Sequence, residues 1–288
     1  MKKTNLKWFF LFAALVLAEL GSSSQDTGSW FRVTEHAPGT WAIDDHGSDN
    51  MYLLEGTDSA ILIDTGLGTA DLRSLVKKLT TKPLIVVVTH GHPDHAGSDY
   101  QFEEVYLQPA DSAAARQYNL QEIRAASSKT MQQGEGPAEV DLYKGKPFNT
   151  RMIPVREGRV FDLGGRKIQV IEAPGHTPGE ICLLDIGNKM LFSGDNNNQL
   201  VWLFLENCRP LSEYLATLEK LKARLTEFTT IFPGHGGPIP ADFINDQIGC
   251  VKGILDNSLE RKTYESFAGN AMISTWGRAS VAFDPKNL

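Results

Sequence analysis

The segment that most constrains the fold runs from Ile85 to His95, where an uninterrupted apolar stretch ends in a cluster of histidines. The stretch Ile85–Val88 is β-branched throughout, which is typical of a strand buried on both faces of a sheet. The chain then supplies four candidate ligands: His90, His92, Asp94 and His95. Side chains two apart in an extended segment point to the same side, so His90 and His92 can reach one point. Core packing does not require such a cluster, whereas a divalent metal does. The segment therefore predicts a buried strand that leads into a metal site.

Strand and helix patterns alternate along the rest of the chain, which is 288 residues long and 41% hydrophobic, enough for a sizeable core. The predicted strands are Thr40–Ile43, Met51–Glu55, Ala60–Asp64, Arg151–Pro154, Lys167–Glu172, Ile181–Asp185, Lys189–Ser193, Thr229–Phe232 and a strand-like tail Ala271–Phe283. The predicted helices are Ala70–Leu79, Ala110–Tyr118, Leu120–Met131, Leu211–Phe228 and Ala241–Lys262. Gln132–Pro147 and Asn196–Pro210 are predicted loops. This alternation predicts a mixed α/β fold, and we expect residues 25–288 to form one domain.

Further histidines and aspartates occupy the turns after other predicted strands. His176 follows the strand Lys167–Glu172, Asp195 follows the next hairpin, and His235 follows the strand Thr229–Phe232. This edge is where open α/β sheets build their binding sites. We therefore expect five of the seven histidines to meet Asp94 and Asp195 at one site.

These motifs, in this order, resemble the metallo-β-lactamase superfamily. The resemblance extends from Asp64, in an Asp-Thr-Gly turn, to His235, and so covers most of the chain. It implies an αββα four-layer sandwich with the metals held between the two sheets at one edge. No serine, cysteine or lysine nucleophile is signalled by a recognisable motif.

The resemblance also assigns roles to the candidate residues. It implies that His90, His92 and His176 bind a first metal, that Asp94, His95 and His235 bind a second, that Asp195 bridges the two, and that Asp64 supports the ligands from behind. It implies two zinc ions per chain, with iron or manganese as alternatives. A hydroxide between the metals would attack the carbonyl of an ester, thioester or lactone in a small molecule. Asp94 and Asp195 are the carboxylates that we expect to be catalytic.

The branch of the family depends on Asp195. β-Lactamases of this superfamily carry Cys or Ser at that place, whereas an aspartate resembles glyoxalase II (hydroxyacylglutathione hydrolase) and the lactonases. Lactonases often have a histidine where this chain has Glu180. Three alternatives remain open: a β-lactamase, a redox enzyme with a single iron that resembles persulfide dioxygenases, and a non-catalytic binding protein on the same fold.

The substrate pocket is predicted from loops that the family lets vary. His46 lies in a loop of Asp, Gly, Ser and Asn residues, and Trp202 with Phe204 could form an aromatic wall for an apolar substrate. Packing of Trp202 and Phe204 in the core is an equally good interpretation.

The N-terminus predicts export. Lys2, Lys3 and Lys7 precede an apolar block, Trp8–Ala18, and small residues follow, which is the pattern of a secretory signal peptide. We expect a leader of residues 1–24, cleaved after Ala18 or between Gly21 and Ser24, and a periplasmic or secreted product. The block is shorter than the ~20 residues of a membrane span, so no stable span is expected after cleavage.

Charge and cysteine content narrow the partners. The formal net charge of −7 argues against a nucleic-acid partner, which usually requires a basic domain, and favours a small-molecule substrate. Three cysteines leave at least one thiol unpaired within the chain. A Cys208–Cys250 disulfide is possible in an oxidising compartment, but the sequence does not decide it.

Overall fold

The computed structural model describes residues 23–25, 30–119 and 148–288. A first sheet follows the order of the chain: β1 (Ser23–Gln25), β2 (Arg32–Ala37), β3 (Thr40–Asp44), β4 (Asn50–Glu55), β5 (Ala60–Ile63), β6 (Leu84–Val87), β7 (Glu104–Leu107) and β8 (Arg151–Pro154). Its first half is an antiparallel meander, and from β5 to β8 the neighbouring strands are parallel.

Two further sheets come from the second half of the chain. The strands are β9 (Val160–Asp162), β10 (Lys167–Glu172), β11 (Ile181–Asp185), β12 (Met190–Phe192), β13 (Leu200–Leu203), β14 (Thr230–Phe232), β15 (Ile239–Pro240), β16 (Lys262–Ser266), β17 (Gly269–Trp276) and β18 (Ala279–Phe283). The second sheet has the order β15-β14-β12-β11-β10-β9, and the third has the order β13-β18-β17-β16.

The helices of the described residues are α1 (Leu72–Leu79), α2 (Pro93–Ala96), α3 (Ser112–Tyr118), α4 (Leu211–Lys222) and α5 (Phe243–Leu255). Helix α1 begins where the Asp71 side chain accepts a hydrogen bond from the Ser74 backbone amide, and Lys77 and Lys78 lie in its last turn. Both features stabilise a helix terminus. None of these helices is long and apolar enough to cross a bilayer, as judged over the described ranges only.

Three apolar clusters separate the layers of the fold. Successive residues of a strand point to opposite faces, so Leu53 and Leu62 pack towards α1, whereas Leu54 and Ile61 pack between the first and second sheets. The outer face of the second sheet packs against the last two helices and the third sheet through Ile171, Leu184, Leu191, Leu218, Ile248, Val251, Val281 and Phe283. The order helix, sheet, sheet, helix confirms the predicted αββα sandwich, and the third sheet extends its last layer.

The boundaries of two predicted helices were wrong at their C-termini. Helix α4 ends at Lys222, although Leu225 and Phe228 continue to pack in the same cluster from the turns that follow. Their periodicity therefore reflected a shared core rather than a continuous helix. Helix α5 ends at Leu255 because Asn257 adopts a left-handed backbone conformation with a φ of +60°, a common way for a helix to stop.

Two predicted segments contain one more β-strand than the sequence analysis expected. The predicted loop Asn196–Pro210 contains β13, and the strand-like tail Ala271–Phe283 is a hairpin of β17 and β18. Gly277, with a φ of +57°, provides the turn between those two strands. The predicted helix Leu120–Met131 and loop Gln132–Pro147 lie outside the described residues.

The predicted leader lies almost entirely outside the described residues, and export stays a prediction. Its last two residues, Ser23 and Ser24, belong to β1, which pairs antiparallel with β2. Cleavage after Ala18 would keep this strand whole, whereas cleavage after Ser24 would remove two of its three residues.

The cysteines are free thiols in this structure. Cys182 and Cys250 are buried and Cys208 is half-buried. Cys250 contacts the Ser274 carbonyl oxygen, and the Asn287 side-chain amide contacts the Cys208 sulfur. The possible Cys208–Cys250 disulfide is therefore absent.

Candidate metal centre

Loops from both central sheets meet at one edge of the sandwich. His90 and His92 follow β6, and His92 precedes α2, a short helix that carries Asp94 and His95. The second sheet contributes residues that follow three of its strands: His176 after β10, Asp195 after β12 and His235 after β14. All seven predicted ligands therefore reach the same site, as the positions at strand ends indicated.

Three imidazoles form the first group of candidate ligands. His92 Nδ1 lies 3.2 Å from His90 Nε2 and 2.9 Å from His176 Nε2. Burial lowers the pKa of His90 well below its ordinary value and lowers that of His92 to about 3. Both rings are therefore neutral at pH 7, which is the form that binds a metal.

A second group lies beside the first. Asp94 Oδ2 is 3.8 Å from His95 Nε2 and 3.5 Å from His235 Nε2. His95 is fully buried, whereas the side chain of His235 is 36% exposed and faces the solvent side of the site. The two groups differ in chemistry, because the first is all nitrogen and the second mixes nitrogen with carboxylate oxygen.

Asp195 lies between the two groups. Its Oδ2 is 3.4 Å from His176 Nε2 and 3.3 Å from His235 Nε2, and its Oδ1 is 3.3 Å from His95 Nε2. Burial alone would raise the pKa of Asp195, but the neighbouring His235 and His95 together lower it well below its ordinary value. The carboxylate is therefore ionised and touches both ligand groups.

Two buried atoms of the site indicate that the residues fit a metal. His95 Nε2 and Asp195 Oδ1 are shielded from solvent, yet neither makes a hydrogen bond of acceptable geometry, although they are only 3.3 Å apart. Buried polar atoms without a partner are costly, and atoms that share one ion converge in this way without bonding to each other. Imidazole and carboxylate donors suit zinc, iron or manganese.

Asp64 supports the ligands from behind, where the resemblance placed it. Its Oδ2 accepts hydrogen bonds from His95 Nδ1 at 2.9 Å and from the Thr89 hydroxyl at 2.9 Å, and its Oδ1 accepts one from the Thr89 amide at 2.6 Å. The backbone of Asp64 is left-handed, with a φ of +64°. Because a carboxylate only accepts, the His95 proton is on Nδ1 and Nε2 is left free for a metal.

His176 is oriented in the same manner by the backbone of β13. Its Nδ1 donates to the Trp202 carbonyl oxygen at 2.7 Å. A carbonyl only accepts, so the proton is again on Nδ1, and Nε2 points at the site.

Two buried carboxylates hold the ligand loops, a role that the sequence analysis assigned to neither of them. Asp111 accepts hydrogen bonds from the amides of Gly91 and Gly179 and from the Thr177 hydroxyl, at 3.0, 2.7 and 2.6 Å. It thereby joins the His90–His92 loop to the loop after His176. Asp111 lies beside a run of alanines in the sequence. A carboxylate in such an apolar segment indicates that hydrogen-bond donors surround it in the fold, because a buried charge without them is costly.

Glu180 is the second of these carboxylates. Its Oε1 accepts hydrogen bonds from the amides of Asp195 and Asn196 at 2.7 and 3.0 Å. Burial, reinforced by nearby Asp195, raises the pKa of Glu180 well above its ordinary value. The sequence signal was its position immediately before the wholly buried strand β11.

A cavity of about 960 Å³ opens above the candidate ligands. Of the two residues of the predicted aromatic wall, Trp202 lines the cavity, whereas Phe204 packs against the Trp202 ring with centroids 5.3 Å apart. His46 stacks on Trp30, with centroids 4.1 Å apart, while the residues that follow it, Gly47 and Ser48, line the cavity. Sequence analysis missed Tyr118 and Phe267, which also line it.

Comparison with known families agrees with this geometry. The family model described as the metallo-beta-lactamase superfamily matches residues 44–235, which include every candidate ligand. The chain belongs to the metallo-β-lactamase superfamily. Its place in a glyoxalase II-like or lactonase-like branch of that superfamily stays a prediction.

Individual proteins are also similar to this chain. The acyl-coenzyme A thioesterase MBLAC2 of Bos taurus is 31% identical over 211 residues, which cover 65% of this chain and 72% of that protein. A metallo-beta-lactamase family protein of Thermus thermophilus shares the fold, with a TM-score of 0.55, 22% identity and coverage of 79% of this chain and 85% of that one. The protein TTHA1623, solved in a di-iron-bound form, has a TM-score of 0.50, 27% identity and coverage of 68% and 91%.

Proposed function

We propose that this chain hydrolyses thioesters at a two-metal centre that binds zinc. The position of Asp195 carries the proposal, because one carboxylate oxygen lies 3.4 Å from a nitrogen of the first ligand group and 3.3 Å from a nitrogen of the second. A bridging carboxylate is a natural way to hold two ions at the short separation that two-metal hydrolysis uses. The similarity to an acyl-coenzyme A thioesterase supports a thioester as the substrate.

The residues around the site supply binding and orientation. His90, His92 and His176 would hold one ion, and Asp94, His95 and His235 would hold the other, with Asp195 shared. Ions held there supply Lewis acidity and make hydroxide available from water at neutral pH. Asp64 and the Trp202 carbonyl fix the ring orientations of His95 and His176, so the ligand atoms are in position before substrate arrives.

The overall reaction is the addition of water to the thioester carbonyl carbon, followed by cleavage of the carbon–sulfur bond. The acyl group leaves as a carboxylate and the sulfur leaves as a thiol. Neither an oxidant nor a covalent enzyme intermediate is required, which agrees with the lack of a nucleophile motif in the sequence.

Metal analysis and steady-state kinetics test this proposal together. The purified protein is measured for zinc, iron and manganese, then loaded with zinc and assayed on acetyl thioesters, lactones and β-lactams. We expect about two ions per chain and the highest kcat/KM on thioesters. Because a serine cannot bridge two ions as a carboxylate does, Asp195→Ser should lower kcat/KM by at least ~10-fold and weaken binding of one ion. Asp58→Ser, at an exposed position in the turn after β4, is the matched control and should leave both quantities unchanged.

Three results would contradict the proposal. The first is an iron-loaded protein that oxidises substrate instead of hydrolysing it. The second is faster turnover of β-lactams than of any thioester. The third is full activity in a preparation from which metal has been removed.

A further inference from the structure

One wall of the cavity above the metal centre is built by the third sheet. The hairpin of β16 and β17 places Phe267 and Ala268 at its tip, and both residues line the cavity. The Ser266 hydroxyl donates to the Gly269 carbonyl oxygen at 3.0 Å and accepts from the Ala268 amide at 3.2 Å, which closes the turn. Gly269 has a φ of +134°, a conformation that a side chain would strain. The tip therefore has a defined shape.

Phe267 is the most exposed large apolar side chain among the described residues, with 72% of its surface accessible to solvent. Its ring lies 5.5 Å from that of Trp202, so the two rings form a continuous apolar surface. Contiguous exposed apolar surface of this kind is a mark of ligand-binding grooves. Trp276 is also exposed, at 52%, but it does not line the cavity. The exposure of Phe267 can therefore be explained by a role in the cavity, whereas that of Trp276 cannot.

Trp202 is held firmly behind Phe267. Its indole Nε1 donates to the Tyr264 hydroxyl at 3.1 Å, and its ring contacts Phe204 and Tyr264 at centroid distances of 5.3 and 6.2 Å. Its carbonyl oxygen accepts from His176, which places the wall directly beside the first ligand group. An apolar group attached to a carbonyl at the metal centre would therefore meet this wall first.

The rest of the described lining favours an uncharged occupant. Leu200 and Leu205 add apolar surface, and among the described residues that line the cavity there is no lysine or arginine. The acidic side chain of Glu206 also faces the cavity and disfavours an anionic group there. The cavity of about 960 Å³ is far larger than a thioester group alone requires and lies within the usual range for a small-molecule site.

We propose that the wall formed by Trp202, Phe267, Leu200 and Leu205 binds the acyl chain of the substrate, and that the enzyme prefers long, apolar, uncharged acyl thioesters. This inference rests on the proposed thioesterase function and specifies its substrate class. Phe267 is the specificity-determining residue, because it contributes to the wall and is packed against little else. The wall then selects substrates by their acyl group rather than by their thiol carrier.

A chain-length series tests the inference. The zinc-loaded protein is assayed on acetyl, hexanoyl and decanoyl thioesters of N-acetylcysteamine, a neutral carrier. Full burial of one methylene contributes a factor of about 4 in binding, so kcat/KM should rise with chain length in the wild type, mainly through a lower KM. Phe267→Ala should lower the ratio of decanoyl to acetyl kcat/KM by ~10-fold, and Phe267→Leu should restore most of it. Ile186→Ala, which removes an exposed apolar side chain from the turn between β11 and β12, is the control and should leave the ratio unchanged.

Binding without hydrolysis provides an independent readout. S-Decyl-N-acetylcysteamine is a thioether that cannot be hydrolysed, and its affinity for the zinc-loaded protein can be measured by calorimetry. We expect Phe267→Ala to weaken its binding by ~10-fold and Ile186→Ala to have no effect. Binding of the thioether that Phe267→Ala weakens, with no hydrolysis of any thioester, would support the acyl wall and reject the thioesterase proposal. A flat chain-length series, or Phe267→Ala indistinguishable from wild type, would reject the acyl wall and leave the thioesterase proposal standing.

Discussion

The two ends of the central strands treat buried charge in opposite ways. At the end away from the metal centre, Arg166 forms a buried pair with Asp185 at 2.7 Å and also donates to the Gly39 carbonyl oxygen and the Thr40 hydroxyl. At the metal end, the carboxylates and imidazoles face one another with His95 Nε2 and Asp195 Oδ1 unpaired. The buried charges at the first end are paired within the chain. At the metal end, these two buried atoms have no hydrogen-bond partner among the described residues and are available to bind an ion.

This difference indicates that the ends have separate tasks. Arg166, in the turn before β10, ties the second sheet to the β2–β3 turn through Gly39 and to the end of β4 through the Glu55 carbonyl oxygen. At the metal end, the ligand loops depend on hydrogen bonds to Asp111, Glu180 and Asp64 for their shape. We therefore expect substitutions at the first end to change stability and substitutions at the second to change metal binding and activity.

The largest effect should follow from breaking the paired end. Arg166→Ala leaves Asp185 buried without its partner, and loss of one partner of a buried pair typically costs ~3–5 kcal/mol of the free energy of unfolding. Denaturant unfolding of the metal-free protein measures this cost. Arg32→Ala, which removes a solvent-exposed pair with Asp44, should cost less than ~1 kcal/mol. A cost for Arg166→Ala no larger than that of Arg32→Ala would contradict the contrast.

A ligand substitution at the metal end should show the reverse pattern. His235 is 36% exposed and contacts chiefly Asp94 and Asp195, so His235→Ala should change the stability of the metal-free protein by less than ~1 kcal/mol. It should also remove one ion and lower kcat/KM on thioesters by at least ~100-fold, because this loss is of a direct ligand and exceeds that of a supporting residue. Elemental analysis and kinetics check both. Full activity with one ion per chain would show that the second group is not used.

A substitution of Asp64 tests the hydrogen bond that orients His95 rather than a candidate ligand itself. Asparagine tolerates the left-handed backbone at this position, but it offers one acceptor oxygen in place of two. Asp64→Asn should therefore weaken metal affinity by ~10–100-fold, the usual range for a residue that orients a ligand, with the two-ion stoichiometry recovered at high metal concentration. Titration against a chelator measures the affinity. An unchanged affinity would mean that the hydrogen bond to His95 is not needed for orientation.

The smallest effect should come from an exposed pair. The hydrogen bond from Arg224 lowers the pKa of Glu227, so this pair stabilises the fold above the unfolded-state pKa of glutamate, and its contribution is lost as pH falls through the lower folded-state value. Solvent screens the pair, so Glu227→Gln should cost less than ~0.5 kcal/mol at pH 7. The difference from wild type should shrink as the pH falls below the ordinary pKa of glutamate. Urea unfolding at several pH values checks the sign, and a difference that grows as the pH falls would contradict it.

The sequence was most informative at positions where the residue type has a single plausible physical role. The five histidines past strand ends predicted the metal edge because imidazole clusters are rare in cores, and all five reach it. The apolar patterns of β6, β10 and β11 predicted strands with boundaries correct to within one residue. Asp64, which the family resemblance predicted behind the candidate ligands, contacts His95 there.

The remaining features depend on contacts that are distant in the chain. Asp111 joins Gly91 to Gly179 across 88 residues, and nothing local to Asp111 identifies those two amides. Phe267 lines the cavity only because β16 and β17 pair in a sheet with β13, whereas the sequence pattern around it predicted the end of a helix followed by a strand. His46 was proposed for the pocket on its loop position alone, and its stacking on Trp30 was not visible in the pattern.

The double role of Trp202 has a thermodynamic consequence. Its backbone carbonyl orients His176, and its side chain forms the wall of the cavity, so one residue takes part in both binding events. An ion and an apolar ligand both bind more tightly when β13 is well ordered, so the binding of one favours the binding of the other. The coupling free energy between the two binding events must be equal in both directions. Metal loading should raise the affinity for an apolar ligand, and a bound ligand should raise the affinity for the ion by the same factor. An enzyme that has lost its metal would then also bind its ligand more weakly, so the inactive form would sequester less substrate.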